Sequence, residues 1–243
     1  MPLLEKPNFV LIACQPKTAS TFVTTAMGQL PGARSISLVP GYDRREQELC
    51  EARFRRYRFR RHRHFVSQAH VRFSTPTEAL ITKYSVKTVV LIRDLHDSIV
   101  SLRDHIRRES PIWPMAYFDQ SHLSLNDDQL DLAIARLMVP WYLNFYFSWQ
   151  SWPDKLLVRY EEVAANTQKA LQRIADYVGI AATEENIRDA ITSARFGRTR
   201  FNSGTAGRGA ALSDSVRRAV RDVVDVYPGA ADHPYLEHVY RTP

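Results

Sequence analysis

Cysteine is scarce in this chain, and the scarcity closes several routes at once. Cys14 and Cys50 are the only two in 243 residues, too few for a disulfide framework or a zinc knuckle. Cys14 ends an apolar stretch and is expected in the core rather than at a metal. Such usage suits a reducing cytoplasm. No apolar run reaches the length of a membrane span, and no basic-then-apolar leader opens the sequence, so a protein outside the ordinary secretory route is expected. Acids are missing from one segment in particular. Arg53, Arg55, Arg56, Arg58, Arg60, Arg61 and Arg63 follow one another without an Asp or Glu between them, and they account for the whole formal charge of +7. The basicity is therefore local, which points to one anionic partner or face rather than a general coat of charge.

Glycine is absent where it would be most telling. Asn8–Phe22 reads NFVLIACQPKTASTF, a buried strand, a short polar loop and a helix start. A Walker loop is GxxxxGK[ST], yet Gln15–Thr21 holds no glycine, and its lysine comes before the helix. No aspartate-led Mg²⁺ site follows. The loop still suits a phosphate: a helix N-terminus offers unpaired N–H groups, the hydroxyls donate, and Lys17 adds a point charge.

The hydrophobic fraction of 44% supports a proper core. Three strand-to-helix units recur: the opening one with its helix over Phe22–Leu30, then Thr88–Ile92 with a helix from His96 to Glu109, then Leu156–Val158 with a helix capped by Asn166. In the last, Leu171, Ile174, Ala175 and Val178 form one apolar face and Gly179 supplies the stop. Continuous apolar strands alternating with helices predict an α/β fold with a parallel sheet covered on both faces. One domain over 1–243 is expected, with helical insertions at about 43–66 and 111–152. Arg44–Phe65 reads as one long basic helix, Pro140 as a kink, and Glu184–Ala194 and the stretch from Ser213 as closing helices.

Pro16-Lys17-Thr18-Ala19-Ser20-Thr21-Phe22 resembles the 5′-phosphosulfate loop of the PAPS-dependent sulfotransferases, with Ala19 where glycine is usual and Phe22 where tryptophan is common. Arg93, closing the strand VVLI, and Ser101, eight residues on, resemble the family's pair that holds the 3′-phosphate; Asp94 and Asp97 fit the pattern, and Leu95 replaces a proline. His70, in Ser67-Gln68-Ala69-His70-Val71, resembles the family's base on the acceptor hydroxyl, although Glu46, Glu48 or Glu51 stay open for that role. Arg200-Phe201-Asn202-Ser203-Gly204-Thr205-Ala206-Gly207-Arg208 is similar to the loop that closes over the nucleotide, without its tryptophan. Arg159-Tyr160-Glu161-Glu162 resembles a strand-end signature that is structural in the family.

The resemblance implies a three-layer P-loop NTPase-like fold and sulfuryl transfer from 3′-phosphoadenosine-5′-phosphosulfate (PAPS) to a hydroxyl, releasing 3′,5′-ADP without a metal. It implies Lys17 and His70 as catalytic residues, and Pro16, Lys17, Thr18, Ala19, Ser20, Thr21, Phe22, Arg93, Ser101, Arg200, Ser203 and Gly204 around the nucleotide. A kinase-like or regulatory nucleotide-binding protein of the same architecture is the alternative. The arginine run stands open to three readings: a solvated face, an anionic acceptor beside His70, or nucleic acid or membrane. The second is preferred on its place just before His70, and nucleic acid is not expected.

Overall fold

The computed structural model describes residues 7–41, 47–58, 62–110, 116–196 and 205–240. Five strands form one all-parallel sheet: β1 (Asn8–Cys14), β2 (Ala33–Ile36), β3 (His64–Ala69), β4 (Lys87–Ile92) and β5 (Lys155–Arg159), in the order β2-β3-β1-β4-β5. The helices are α1 (Ser20–Met27), α2 (Glu51–Tyr57), α3 (Thr75–Tyr84), α4 (Leu95–Arg108), α5 (Asp127–Gln150), α6 (Tyr160–Ala165), α7 (Thr167–Val178), α8 (Glu184–Phe196), α9 (Asp214–Val224) and α10 (Glu237–Tyr240). None of the described helices is long and apolar enough to cross a membrane.

The alternation along β1 explains the three layers. Phe9, Leu11 and Ala13 face one buried cluster, with Trp149, Tyr142 and Phe145 of α5 and Val216 and Val220 of α9. Val10, Ile12 and Cys14 face the other, with α1, α7 and α8. Successive side chains of a strand point to opposite faces, so a strand apolar throughout needs cover on both. Asn166 caps α7, and Gly179 ends it at φ 74°, in the left-handed region where glycine carries no Cβ penalty.

The long basic helix is not formed. Residues 44–46 and 59–61 lie outside the described residues; among the rest, 47–50 are irregular, helix covers Glu51–Tyr57, and His64–Ala69 is the strand beside β1. Pairing on both sides, with β1 from Asn8↔His64 and with β2 from Ala33↔His64, outweighs any helical preference there. Helix α5 runs through Pro140 unbroken. Of the expected 111–152 insertion, 111–115 lie outside the described residues, and α5 is an integral layer of the core.

Arg60 and Arg61 lie outside the described residues, and Arg63 is placed away from the strand end that carries His70. Arg63 precedes β3, whereas His70 follows it, so six residues of strand, roughly 20 Å, separate them. Phe54 of α2 stacks on Tyr84 (4.5 Å) and meets Phe9 at the start of β1 (5.1 Å). Arg55 pairs with Glu51, which also holds Lys83. Arg63 thus lies at the opposite end of the sheet from His70, whereas Arg53 donates to Pro40 O (3.4 Å), beyond the carboxyl end of β2. The strand between sets Arg63 apart from His70 despite their closeness in sequence.

Candidate functional site

Three adjacent strands deliver their following residues to one edge. β3 leads into His70, β1 into Gln15–Ala19, and β4 into Arg93. The register sets Ala13 against Ala69 and Cys14 against Leu91, so these residues sit level at the carboxyl ends of the sheet. In open parallel sheets that edge is where ligands bind.

The loop after β1 is turned inside out. Thr18 Oγ1 donates to Gln15 O (2.7 Å), Tyr142 Oη to Pro16 O (3.0 Å), and Arg93 to Lys17 O (2.9 Å). A trans peptide points its N–H opposite its C=O. With the Pro16 and Lys17 carbonyls drawn inward, the N–H groups of Lys17 and Thr18 face the other way. Lys17 (φ 65°) and Ala19 (φ 57°) adopt the left-handed conformation that makes this possible, at about 1–2 kcal/mol each for a residue with a Cβ. Helix α1 then starts with no side-chain cap and no acid in its first turn, and its first intrahelical bond runs from Val23 N to Ala19 O. Side chains cap α3, α4, α5, α7 and α9. An uncapped N-terminus behind outward N–H groups is built for an anion.

The side chains divide differently from the sequence expectation. Lys17 and Ala19 are half-buried and Thr21 is exposed, so these three lie at the loop's surface. Thr18 is fully buried and braces the loop. Ser20 is 5% exposed, Pro16 is buried, and Phe22 lies in the core with Val23 and Met27.

Gln15 was not singled out by sequence, yet it ties the site together. Its Nε2 donates to Tyr142 O (3.1 Å), while its Oε1 accepts from Arg93 N (3.0 Å) and lies 3.1 Å from Tyr235 Oη. A flipped amide would set NH₂ against the Arg93 N–H, so the orientation is fixed by its neighbours. Its only local signal is polarity directly after a seven-residue strand.

Arg93 is buried at 4% exposure, with its guanidinium 3.9 Å over the Tyr160 ring and 3.5 Å from Asp97. Its Nε is buried without a hydrogen bond, a donor left to spare. Ser101 lies on α4 and is also buried, and no hydrogen bond joins it to Arg93. Asp97 was only a pattern match in the sequence. Its carboxylate accepts from Gly207 N (2.8 Å) and Gly209 N (2.7 Å), fastening the late glycine loop to α4. A Cβ on Gly209 would stand 2.4 Å from His96 Cβ, so only glycine fits that approach. Arg200, Ser203 and Gly204 lie outside the described residues.

His70 Nδ1 is 2.9 Å from Cys14 O. A carbonyl only accepts, so Nδ1 carries the proton and Nε2 presents the lone pair. Burial lowers the imidazole pKa, partly offset by this bond. Gln47 Oε1 accepts from His70 N at 2.7 Å. Of the alternative bases, Glu46 lies outside the described residues and Glu48 is exposed. Glu51, held by Lys83, Arg55 and Tyr84, has its pKa drawn down to about 2. Asp94, His96 and His238 bring three potential metal-ligand atoms within 4.8 Å of one another. Two of these groups are already engaged in ordering the start of α4: Asp94 Oδ1 accepts from Asp97 N (3.0 Å) and His238 Nε2 from Leu95 N (3.1 Å).

Residues 10–208 match the family model for the sulfotransferase domain. The chain belongs to the sulfotransferase family. No curated protein matches it in sequence. Among solved structures it is similar to mouse sulfotransferase SULT7A1 complexed with PAP, at TM-score 0.69 and 12% identity over 96% of this chain and 88% of that one. It also resembles retinol dehydratase in complex with androsterone and inactive cofactor PAP (TM-score 0.57, 16% identity, 94% and 84% covered). A sulfotransferase from Alicyclobacillus acidocaldarius matches at TM-score 0.55 and 12% identity, with 98% and 97% covered. The sulfotransferase inherits from these likenesses its three-layer P-loop-like fold, and from the family its general activity, sulfuryl transfer.

Proposed function

We propose that the donor is PAPS and that the sulfuryl group passes to an acceptor hydroxyl, releasing 3′,5′-ADP. The observation that carries this reading is the uncapped start of α1 behind a loop whose carbonyls are drawn inward by Thr18, Tyr142 and Arg93. The 5′-phosphosulfate would meet the N–H groups there, with Lys17 beside the bond that breaks. Arg93, Ser101 and the loop containing Arg200, Ser203 and Gly204 would hold the 3′-phosphate end. PAP in the solved relatives supports a nucleotide of this type.

In the transfer, the acceptor oxygen bonds to sulfur as the bond from sulfur to the bridging oxygen breaks. His70 Nε2 takes the hydroxyl proton, its tautomer held by Cys14 O. Lys17 neutralises charge growing on the bridging oxygen. Positioning and charge do most of the work, and the scheme needs no metal. The acceptor is a hydroxyl compound. Retinol and androsterone, the compounds bound to retinol dehydratase, support a hydroxyl acceptor.

Thermal unfolding with added ligand tests the donor. Stabilisation by 3′,5′-ADP in the absence of Mg²⁺ is expected. Stabilisation by ATP with Mg²⁺ alone would replace this reading with the kinase-like one.

A further inference from the structure

The family model ends at residue 208, yet the chain beyond it returns to the root of the phosphate loop. Tyr235, 2% exposed, lies with its hydroxyl 2.7 Å from Arg93 O and 3.1 Å from Gln15 Oε1. Three residues later, His238 Nε2 accepts the N–H of Leu95, the first residue of α4. The segment therefore touches the end of β1, the end of β4 and the start of α4.

We infer that Tyr235 is a positioning residue for the donor site, and that the segment carrying it completes that site. The inference rests on the PAPS reading above. Gln15 Oε1 joins the two strand ends by accepting Arg93 N–H, and Gln15 Nε2 joins them to α5 through Tyr142 O. Tyr142 in turn holds Pro16 O. Tyr235 sits on the same junction from the opposite side of the sequence. Its single proton serves the Arg93 carbonyl at the shorter distance, with Gln15 beside it. Removing the hydroxyl leaves that buried carbonyl short of a donor, and the strain falls where the Lys17 loop and the Arg93 guanidinium are set relative to each other. Small misplacements of such groups cost binding and rate out of proportion to the atoms removed.

The ring itself is secured independently. It packs on Tyr146 (centroids 4.4 Å) and on His238 (6.0 Å), so Tyr235→Phe keeps the packing and removes only the polar link. Tyr146→Phe is the matching control. Its hydroxyl reaches His233 (3.4 Å) and touches neither Gln15 nor Arg93.

The experiment compares full-length wild type, Tyr235→Phe, His238→Ala and Tyr146→Phe at a temperature where all are folded. For each, the KM for PAPS, the KM for the acceptor and the Kd for 3′,5′-ADP are measured. Tyr235→Phe is expected to raise the PAPS KM and the 3′,5′-ADP Kd about tenfold, the loss of one buried hydrogen bond, with the acceptor KM unchanged. His238→Ala should move the same two constants the same way. Tyr146→Phe should lower the melting temperature alone. Donor constants at the wild-type value in both Tyr235→Phe and His238→Ala would overturn the inference while leaving the PAPS reading standing. A wild type that neither binds 3′,5′-ADP nor turns over PAPS would overturn the reading itself, and the inference with it.

Discussion

The guanidinium of Arg93 and the carboxylate of Asp97 face each other at 3.5 Å, one turn apart, both buried. Arg93 reaches back to Lys17 O, and Asp97 reaches forward to Gly207 N and Gly209 N. The pair thus connects the loop after β1 to the late glycine loop. Asp97→Asn would leave a buried guanidinium unpaired, which costs about 3–5 kcal/mol. The expected outcome is a large drop in the urea midpoint, with new proteolytic cleavage near residues 205–209. A midpoint within error of wild type would remove the pair from the frame of the fold.

Ala19 bears strain that its neighbours impose, at φ 57°. Ala19→Gly should relieve about 1–2 kcal/mol of steric cost, less roughly 0.5–1 kcal/mol of added chain entropy. A net gain of up to about 1.5 kcal/mol in urea unfolding is expected, with PAPS KM unchanged. Destabilisation would mean that the alanine methyl is packed rather than strained.

Lys17→Ala and His70→Ala separate the two halves of the chemistry. Each should cut kcat by about a hundredfold or more while the urea midpoint holds. The His70 pKa is lowered by burial, so the neutral base persists below the usual 6.5. The acid limb of the kcat profile should therefore fall below pH 6.5 in the wild type and be absent from the residual activity of His70→Ala. Near-wild-type turnover in His70→Ala would reject its role.

Stability should carry its own pH dependence. Burial lowers the pKa values of His64, His70, His238 and His96, the last to about 4. The unfolded chain takes up these protons below about 6.5, and the folded protein resists them, so this contribution is whole above pH 6.5 and is lost as the pH falls toward 4. Asp131, lifted to about 6 by burial, works in the opposite sense, as one group against four. Urea midpoints measured from pH 7.5 to 4.5 should fall, and His96→Asn should flatten the fall. A midpoint constant over that range would contradict the burial of these imidazoles.

Sequence revealed the local features and missed the distant ones. Asn166 and Gly179 were legible because caps obey local rules. So were β1 and β4, whose apolar runs need no context. Strand β3 was obscured by the charged stretch leading into it, since the strand exists by pairing with β1 and β2. The loop, Arg93 and His70 were found by motif. The residues that hold them were not: Gln15 meets Tyr142 across 127 positions and Tyr235 across 220. A polar contact of that span leaves no periodicity to read. The inward turn of the Thr18 and Phe22 side chains was not legible, because a motif does not say which of its side chains point inward.

Cys14 closes β1 at the centre of the sheet, wholly buried, with its thiol pushed up to about 12 by burial. At neutral pH it is therefore neither ionised nor reachable, and thiol reagents must wait for the sheet to part. The molecule carries its own clock. The rate at which Cys14 becomes alkylated reports how often the strand beneath the phosphate loop opens, and a nucleotide that tightens the loop should slow that clock without touching the thiol.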